Sequence, residues 1–105
     1  MTTAYDGDSG RMLEDHANRF LCVLYFLARG IKDRSFDSYK VFGKLGLGAF
    51  ADKEQARAEI IQFLQQQKNI RYDGTYNTVS LDTEGLNWAE RECHKDPYMQ
   101  YKVFL

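Results

Sequence analysis

Long apolar runs and targeting signals are missing from this chain of 105 residues. The longest apolar run, residues 20–28 (FLCVLYFLA), is far shorter than the roughly 18 residues that a membrane-spanning helix needs. Residues 1–11 (MTTAYDGDSGR) contain no basic segment followed by an apolar stretch, so they do not read as a signal peptide. Hydrophobic residues make up 44% and charged residues 28% of the chain, which is ordinary for one globular domain with one core.

Cysteine and histidine are scarce, with two of each. Two cysteines do not make a disulfide framework, and Cys22 lies in the apolar run, where we expect it to pack as a small hydrophobe. Cys93 and His94 are adjacent, so on a helix they point apart and cannot pair as nucleophile and base. No second Cys or His stands at a metal-ligand spacing. We therefore predict no enzyme, no metal site and no cofactor, in a reduced, cytoplasmic protein.

The net charge of −1 argues for no particular partner, but the charges are unevenly distributed. Residues 19–71 hold ten basic and five acidic side chains, a balance of +5, whereas residues 1–18 and 73–105 each carry −3. A basic middle between acidic flanks hints at a polyanionic partner. An ordinary solvated surface explains the same distribution equally well.

Spacing of apolar residues predicts four helices. The first is capped by Asp8 or Ser9, runs to Arg29 and is followed by Gly30. Its second half is apolar nearly all round, which predicts a helix that is either central in the fold or shared with a second subunit. In a domain this small, the dimer interface is the favoured alternative. Ser35 is expected to cap a second helix over residues 36–45, with four residues facing inward: Phe36, Tyr39, Phe42 and Leu45. We expect Gly43 in this helix to let a neighbouring helix approach closely.

Aspartates begin the other two helices. Asp52 caps the third helix, whose buried stripe is Ala56, Ile60, Phe63 and Leu64, and Gln55 follows at the capping-box spacing. Asp82 caps the fourth helix, which Pro97 ends.

The segment Ile70–Leu81 (IRYDGTYNTVSL) reads as a β-hairpin. Asp73-Gly74 is a strong two-residue turn signal, which would pair Tyr72 with Thr75. Alternation then places four side chains on the inner face, against the helices: Ile70, Tyr72, Val79 and Leu81.

We predict three segments: a flexible stretch over residues 1–9, a domain over residues 10–96, and an apolar tail over residues 97–105 that packs on the domain or on a second subunit. The predicted homodimer would use the first helix, the fourth helix or the C-terminal tail. Its candidate residues are Val23, Phe26, Trp88, Tyr98, Tyr101 and Phe104.

The order helix, helix, turn, helix, hairpin, helix resembles the winged helix-turn-helix family of DNA-binding domains. Three stretches carry the resemblance: FDSYKVFGKLGL at 36–47, ARAEIIQFLQQQKNI at 56–70 and TVSLDTEGLNWA at 78–89, the last with the family-like Thr83-Glu84-Gly85. It implies a mainly α, α+β fold, with a three-helix core, a hairpin wing and a C-terminal helix. The turn over residues 46–51 is longer than the three or four residues usual in a helix-turn-helix.

The resemblance also implies a dimeric, sequence-specific transcriptional regulator that binds double-stranded DNA. The third helix would present Lys53, Gln55 and Arg57 to base edges or nearby phosphates. The remaining candidate contacts are Arg71, Thr75 and Tyr76 from the wing, and Lys40 and Lys44 from the second helix. Three acids, Glu54, Glu59 and Asp73, would repel phosphate.

The alternative is a winged-helix module that binds only proteins. A continuous positive stripe along Lys53, Arg57 and Arg71 would favour DNA, and a broken one would favour a protein partner. No sequence feature suggests a small-molecule effector.

Overall fold

The computed structural model describes residues 10–46 and 52–96, which form a mainly helical α+β domain. The helices are α1 (Gly10–Ala28), α2 (Ser38–Gly43), α3 (Lys53–Gln66) and α4 (Thr83–Glu92), the last followed by a 3₁₀ turn at Cys93–Lys95. The strands are β1 (Phe36–Asp37), β2 (Ile70–Asp73) and β3 (Thr78–Leu81), in one antiparallel sheet of order β1-β3-β2. Most of the predicted turn between the second and third helices, residues 47–51, lies outside the described residues.

Helix α1 is central because it contacts α2, α3, α4 and β3. Its nearly all-round apolar surface is therefore covered within one chain. Val23 is fully buried and Phe26 is 5% exposed. Neither leaves surface for a second chain, so placing these two side chains at a dimer interface was wrong, and they pack the core. Tyr98, Tyr101 and Phe104 lie outside the described residues, and the homodimer stays a prediction.

The second helix begins later than the sequence indicated. Phe36 lies in β1 opposite Val79, and the carboxylate of Asp37 caps α2 by accepting from the backbone N–H of Tyr39 at 2.8 Å. Ser35 is therefore not the cap. Tyr39 is 48% exposed and does not face the core, whereas Val41 is fully buried. The pairing of β1 with β3 involves residues about 40 positions apart, which helical periodicity could not reveal.

The hairpin has the predicted faces but a different register. Tyr72 pairs with Val79 and Asp73 with Thr78, which leaves a four-residue turn over 74–77. Asp73 Oδ1 accepts from the N–H of Thr75 at 2.9 Å, and this Asx-type bond favours the wider turn. The predicted pairing is displaced by four residues. Because four is even, every side chain keeps its face, and Ile70, Val79 and Leu81 are buried as predicted.

Close backbone approach occurs at Gly85 and not at Gly43. A Cβ added at Gly85 would lie 2.0 Å from the carbonyl oxygen of Asn69, whereas one at Gly43 would meet nothing within 4 Å. The same Asn69 carbonyl accepts from the backbone N–H of Asp82 at 3.0 Å. These contacts fix the start of α4 against the α3–β2 connection.

A disulfide joins Cys22 in α1 to Cys93 in the 3₁₀ turn, with Cα atoms 5.4 Å apart and a sequence separation of 71 residues. The expectation that the cysteines form no bond and that Cys22 is only a packing residue is therefore wrong. Pairing was invisible in the sequence because it depends on how α1 meets the end of α4. Disulfides are typical of oxidising compartments, with intracellular proteins of hyperthermophiles as an exception. The cytoplasmic location stays a prediction.

Candidate nucleic-acid interface

Helix α3 begins as the sequence predicts. Asp52 Oδ1 accepts from the backbone N–H of Gln55 at 2.9 Å and so caps the helix. Lys53 at the first helical position is exposed, and Gln55 is half-buried. Further along the helix the exposed residues are mostly uncharged: Ala58, Gln62, Gln65 and Gln66. The outer face of α3 is thus rich in amides and carries little charge.

Arg57 points into the domain. It is only 5% exposed, and its Nη1 donates to the Oγ of the fully buried Ser38 at 2.9 Å. Its Nη2 donates to Glu54 Oε1 at 2.6 Å, and the guanidinium carbon lies 4.1 Å from the centroid of the Tyr39 ring. These contacts join α2 to α3. The prediction that Arg57 reaches bases or phosphates is wrong, because its donors already hold partners inside the protein.

The same contacts act on Glu54. Its hydrogen bond to Arg57 holds the pKa of this carboxyl below the ordinary value. Tyr39 reinforces the effect, since its hydroxyl donates to Glu54 Oε1 at 3.4 Å. Glu54 therefore stays charged and is paired with Arg57, and this pairing reduces its repulsion of a nearby anion.

Arg71 lies on β2, exposed but paired. Its guanidinium is 3.3 Å from Asp33 Oδ1 and 3.6 Å from Asp82 Oδ2. The pKa of Asp82 is lowered, first by the backbone N–H of Thr83 that it accepts and further by Arg71. With Arg57 buried and Arg71 between two carboxylates, the positive stripe proposed along Lys53, Arg57 and Arg71 is broken.

The hairpin tip presents Thr75 and Tyr76, both exposed, with Tyr76 at 75%. The turn is held from within, because the Tyr72 hydroxyl donates to Asn77 Oδ1 at 2.6 Å. It is also tied to α2, since the Ser38 N–H donates to the Asn77 carbonyl at 2.8 Å. The exposed ring of Tyr76 therefore lies on a turn that these hydrogen bonds hold in place.

The remaining predicted cations belong to α2 and to the start of α3. Lys40 is exposed on α2, and Lys44 follows its last residue and is half-buried. Lys40 and Lys53 are the sequence neighbours of Tyr39 and Glu54, through which α2 and α3 contact each other. Lys40, Lys44 and Lys53 form no ion pair with any carboxylate among residues 10–46 and 52–96. We call these three side chains the lysine cluster.

A groove of about 420 Å³ lies between α1, α3 and α4, away from the lysine cluster. It is lined by Glu14, Asn18, Phe63, Gln67, Asn69, Glu84, Trp88 and Arg91. Trp88, a predicted dimer contact, is half-buried at this groove. The sequence indicated Trp88 only as a candidate dimer contact, and no sequence signal indicated a groove there.

No protein-family model, no curated protein and no solved structure matches the chain. Within the part of the chain that the structure describes, none of the helices combines the length and apolarity needed to cross a bilayer.

Proposed function

We propose that this protein is a winged-helix domain that binds double-stranded DNA through the outer face of α3. The order of elements carries the proposal. A strand between α1 and α2 pairs with β3, so the hairpin is anchored beside α2 and α3, as a wing must be. This arrangement leaves both the polar face of α3 and the hairpin tip of the same domain exposed to solvent.

Two kinds of residue would contact the DNA, glutamines at base edges and lysines at phosphates. Glutamine amides can fork onto adenine in the major groove, and the exposed face of α3 offers Gln62 and Gln65 beside the half-buried Gln55. The lysine cluster would hold phosphates and so fix the register, with help from the partial positive charge at the start of α3. Tyr76, at the tip of the hairpin wing, would contact the sugar-phosphate backbone of the DNA.

Binding by this surface should depend only modestly on salt. Three lysines neutralise about three phosphates, which predicts a slope of log affinity against log salt of about −3. Arg57 and Arg71 add nothing to this count because both are paired within the domain.

The test is a fluorescence-anisotropy titration of random-sequence duplex DNA, from low to physiological salt. Lys53→Ala should make the slope shallower by about one unit, because one phosphate contact is removed. Lys68→Ala is the matched control. Lys68 is also exposed and lies just beyond the other end of α3, about 22 Å along the helix axis from Lys53. No binding at low salt would refute the proposal, and so would equal effects of the two variants.

A second candidate function is a winged-helix module that binds a protein and not DNA. The broken positive stripe favours it, since Arg57 is buried and Arg71 is paired with Asp33 and Asp82. A folded protein that fails to bind DNA at low salt would support this second function.

A further inference from the structure

The two sulfurs of the Cys22–Cys93 disulfide lie in unequal surroundings. Cys93 is 2% exposed and belongs to the core. Cys22 is half-buried, and both cysteines border a surface pocket of about 100 Å³. The other lining residues are Asn18, Arg19, Glu92 and Asp96. A reagent from solvent therefore meets the sulfur of Cys22 more readily than that of Cys93.

The geometry points to a thiol-exchange site at Cys22, specific for a small, uncharged thiol. In this step a thiolate attacks Cys22 Sγ and forms a mixed disulfide there. The bond between the two cysteines breaks, and its electron pair goes to Cys93 Sγ, which takes up a proton. A second molecule of the thiolate then attacks the sulfur of the bound thiol. This releases the disulfide of the two small thiols, and the electron pair of the broken bond goes to Cys22 Sγ, which takes up a proton. Access decides which sulfur is attacked first.

Pocket size and charge set the class of thiol. A volume of about 100 Å³ is the space of roughly three waters, which admits a thiol of a few heavy atoms. The charges balance, because Arg19 lines the pocket together with Glu92 and Asp96, and Glu92 is itself paired with Lys95. No net charge attracts an anionic thiol such as glutathione, and only part of that tripeptide would fit inside the pocket.

Thiol exchange at Cys22 would break the covalent link between α1 and the 3₁₀ turn at the end of α4. Apart from the disulfide, the 3₁₀ turn contacts α1 through a hydrogen bond between Tyr25 Oη and His94 Nε2 at 3.0 Å. The His94 ring also meets the rings of Tyr25 and Phe26 edge-on, at 5.5 and 5.9 Å. These contacts are non-covalent. Reduction would therefore leave the last turn free to open locally, while the helices and the sheet stay folded.

The first experiment maps the adduct. The native, oxidised full chain is exposed briefly to limiting 2-mercaptoethanol, quenched in acid, digested with pepsin and analysed by mass spectrometry. We expect the adduct on Cys22 in at least about tenfold excess over Cys93. Glutathione at the same thiolate concentration should react more slowly. An adduct mainly on Cys93, or reaction only after unfolding in urea, would overturn the proposal, and so would two free thiols in protein oxidised in air.

Single-cysteine variants provide a second measure of access. In Cys93→Ser the remaining Cys22 should be alkylated by iodoacetamide rapidly, whereas in Cys22→Ser the remaining Cys93 should react slowly. Equal rates in variants that keep the native circular dichroism spectrum would contradict the argument from burial.

Hydrogen exchange of the amides at residues 91–95 measures whether the last turn opens when the disulfide is reduced. It should quicken on reduction while exchange in α3 stays slow, and uniform quickening would show global unfolding in place of local opening.

Discussion

Replacing Arg57 by alanine distinguishes a structural role from a DNA contact. If Arg57 touched phosphate, the variant would fold normally and lose one unit of salt slope. The structure predicts the reverse. The guanidinium joins Ser38 on α2 to Glu54 on α3, so its loss should lower the stability of the fold. DNA binding should then decrease only because a smaller fraction of the protein is folded.

The expected loss of stability follows from three contacts. Ser38 Oγ is buried and would lose its donor, which costs about 1–3 kcal/mol. Stacking on the half-exposed Tyr39 ring contributes about 0.5–1 kcal/mol. The pair with Glu54 adds at most about 1 kcal/mol, since the side chain of Glu54 is 61% exposed and returns to water. Because such terms are not additive, we expect a total of about 2–4 kcal/mol.

Urea unfolding followed by circular dichroism measures this loss. Arg57→Ala should lower the midpoint with an unchanged slope. Arg57→Lys keeps the charge but loses the planar guanidinium that bonds Ser38 and Glu54 together and stacks on the Tyr39 ring, so it should also destabilise the fold. Lys53→Ala, on the same helix but exposed, should stay within about 0.5 kcal/mol of the wild type. A wild-type midpoint for Arg57→Ala, together with a reduced salt slope, would show that the guanidinium faces DNA and that the burial argument is wrong.

The remaining predictions concern two glycines, the disulfide and acid. Gly85→Ala should destabilise by about 3 kcal/mol or more, since its Cβ would meet the Asn69 carbonyl at 2.0 Å, whereas Gly43→Ala should stabilise by about 0.5–1 kcal/mol. Equal urea midpoints for these two variants would contradict the packing described. Replacing both cysteines by serine should cost about 4 kcal/mol, the loop-closure value for a 71-residue separation, and an unchanged melting temperature would show that the bond contributes nothing. The pKa of Glu54 is lowered in the folded state, so its stabilising effect is complete above its ordinary pKa of 4.5 and is lost as pH falls through the lowered pKa. Glu54→Gln should therefore flatten the acid side of the stability profile, and an unaltered profile would contradict the pairing.

The DNA-binding candidates show how far sequence reasoning could go. Lys40, Lys53, Thr75 and Tyr76 are exposed, as a surface role requires, because a polar side chain on a helix or at a turn is exposed by default. Arg57 is the exception. Basic residues are seldom buried without partners, and its partner Ser38 lies 19 residues away, where periodicity gives no warning.

Local signals determined α1, α3, α4 and the inner face of the hairpin. Asp52 and Asp82 begin α3 and α4 because a carboxylate caps a helix through backbone donors only one to three residues away. Val79 and Leu81 are buried because alternation along a strand fixes the face, whatever the exact pairing.

Contacts between distant residues decided the rest. The two-residue strand β1, the inward turn of Arg57, the ion pairs of Arg71 and the bond between Cys22 and Cys93 all depend on segments that meet only in the folded chain. The sequence by itself determined which segments are helix or hairpin and which faces are apolar, since those preferences act over a few residues. Only the tertiary structure decided which charges remain free to meet a partner, because a charge is neutralised by whatever the fold brings beside it.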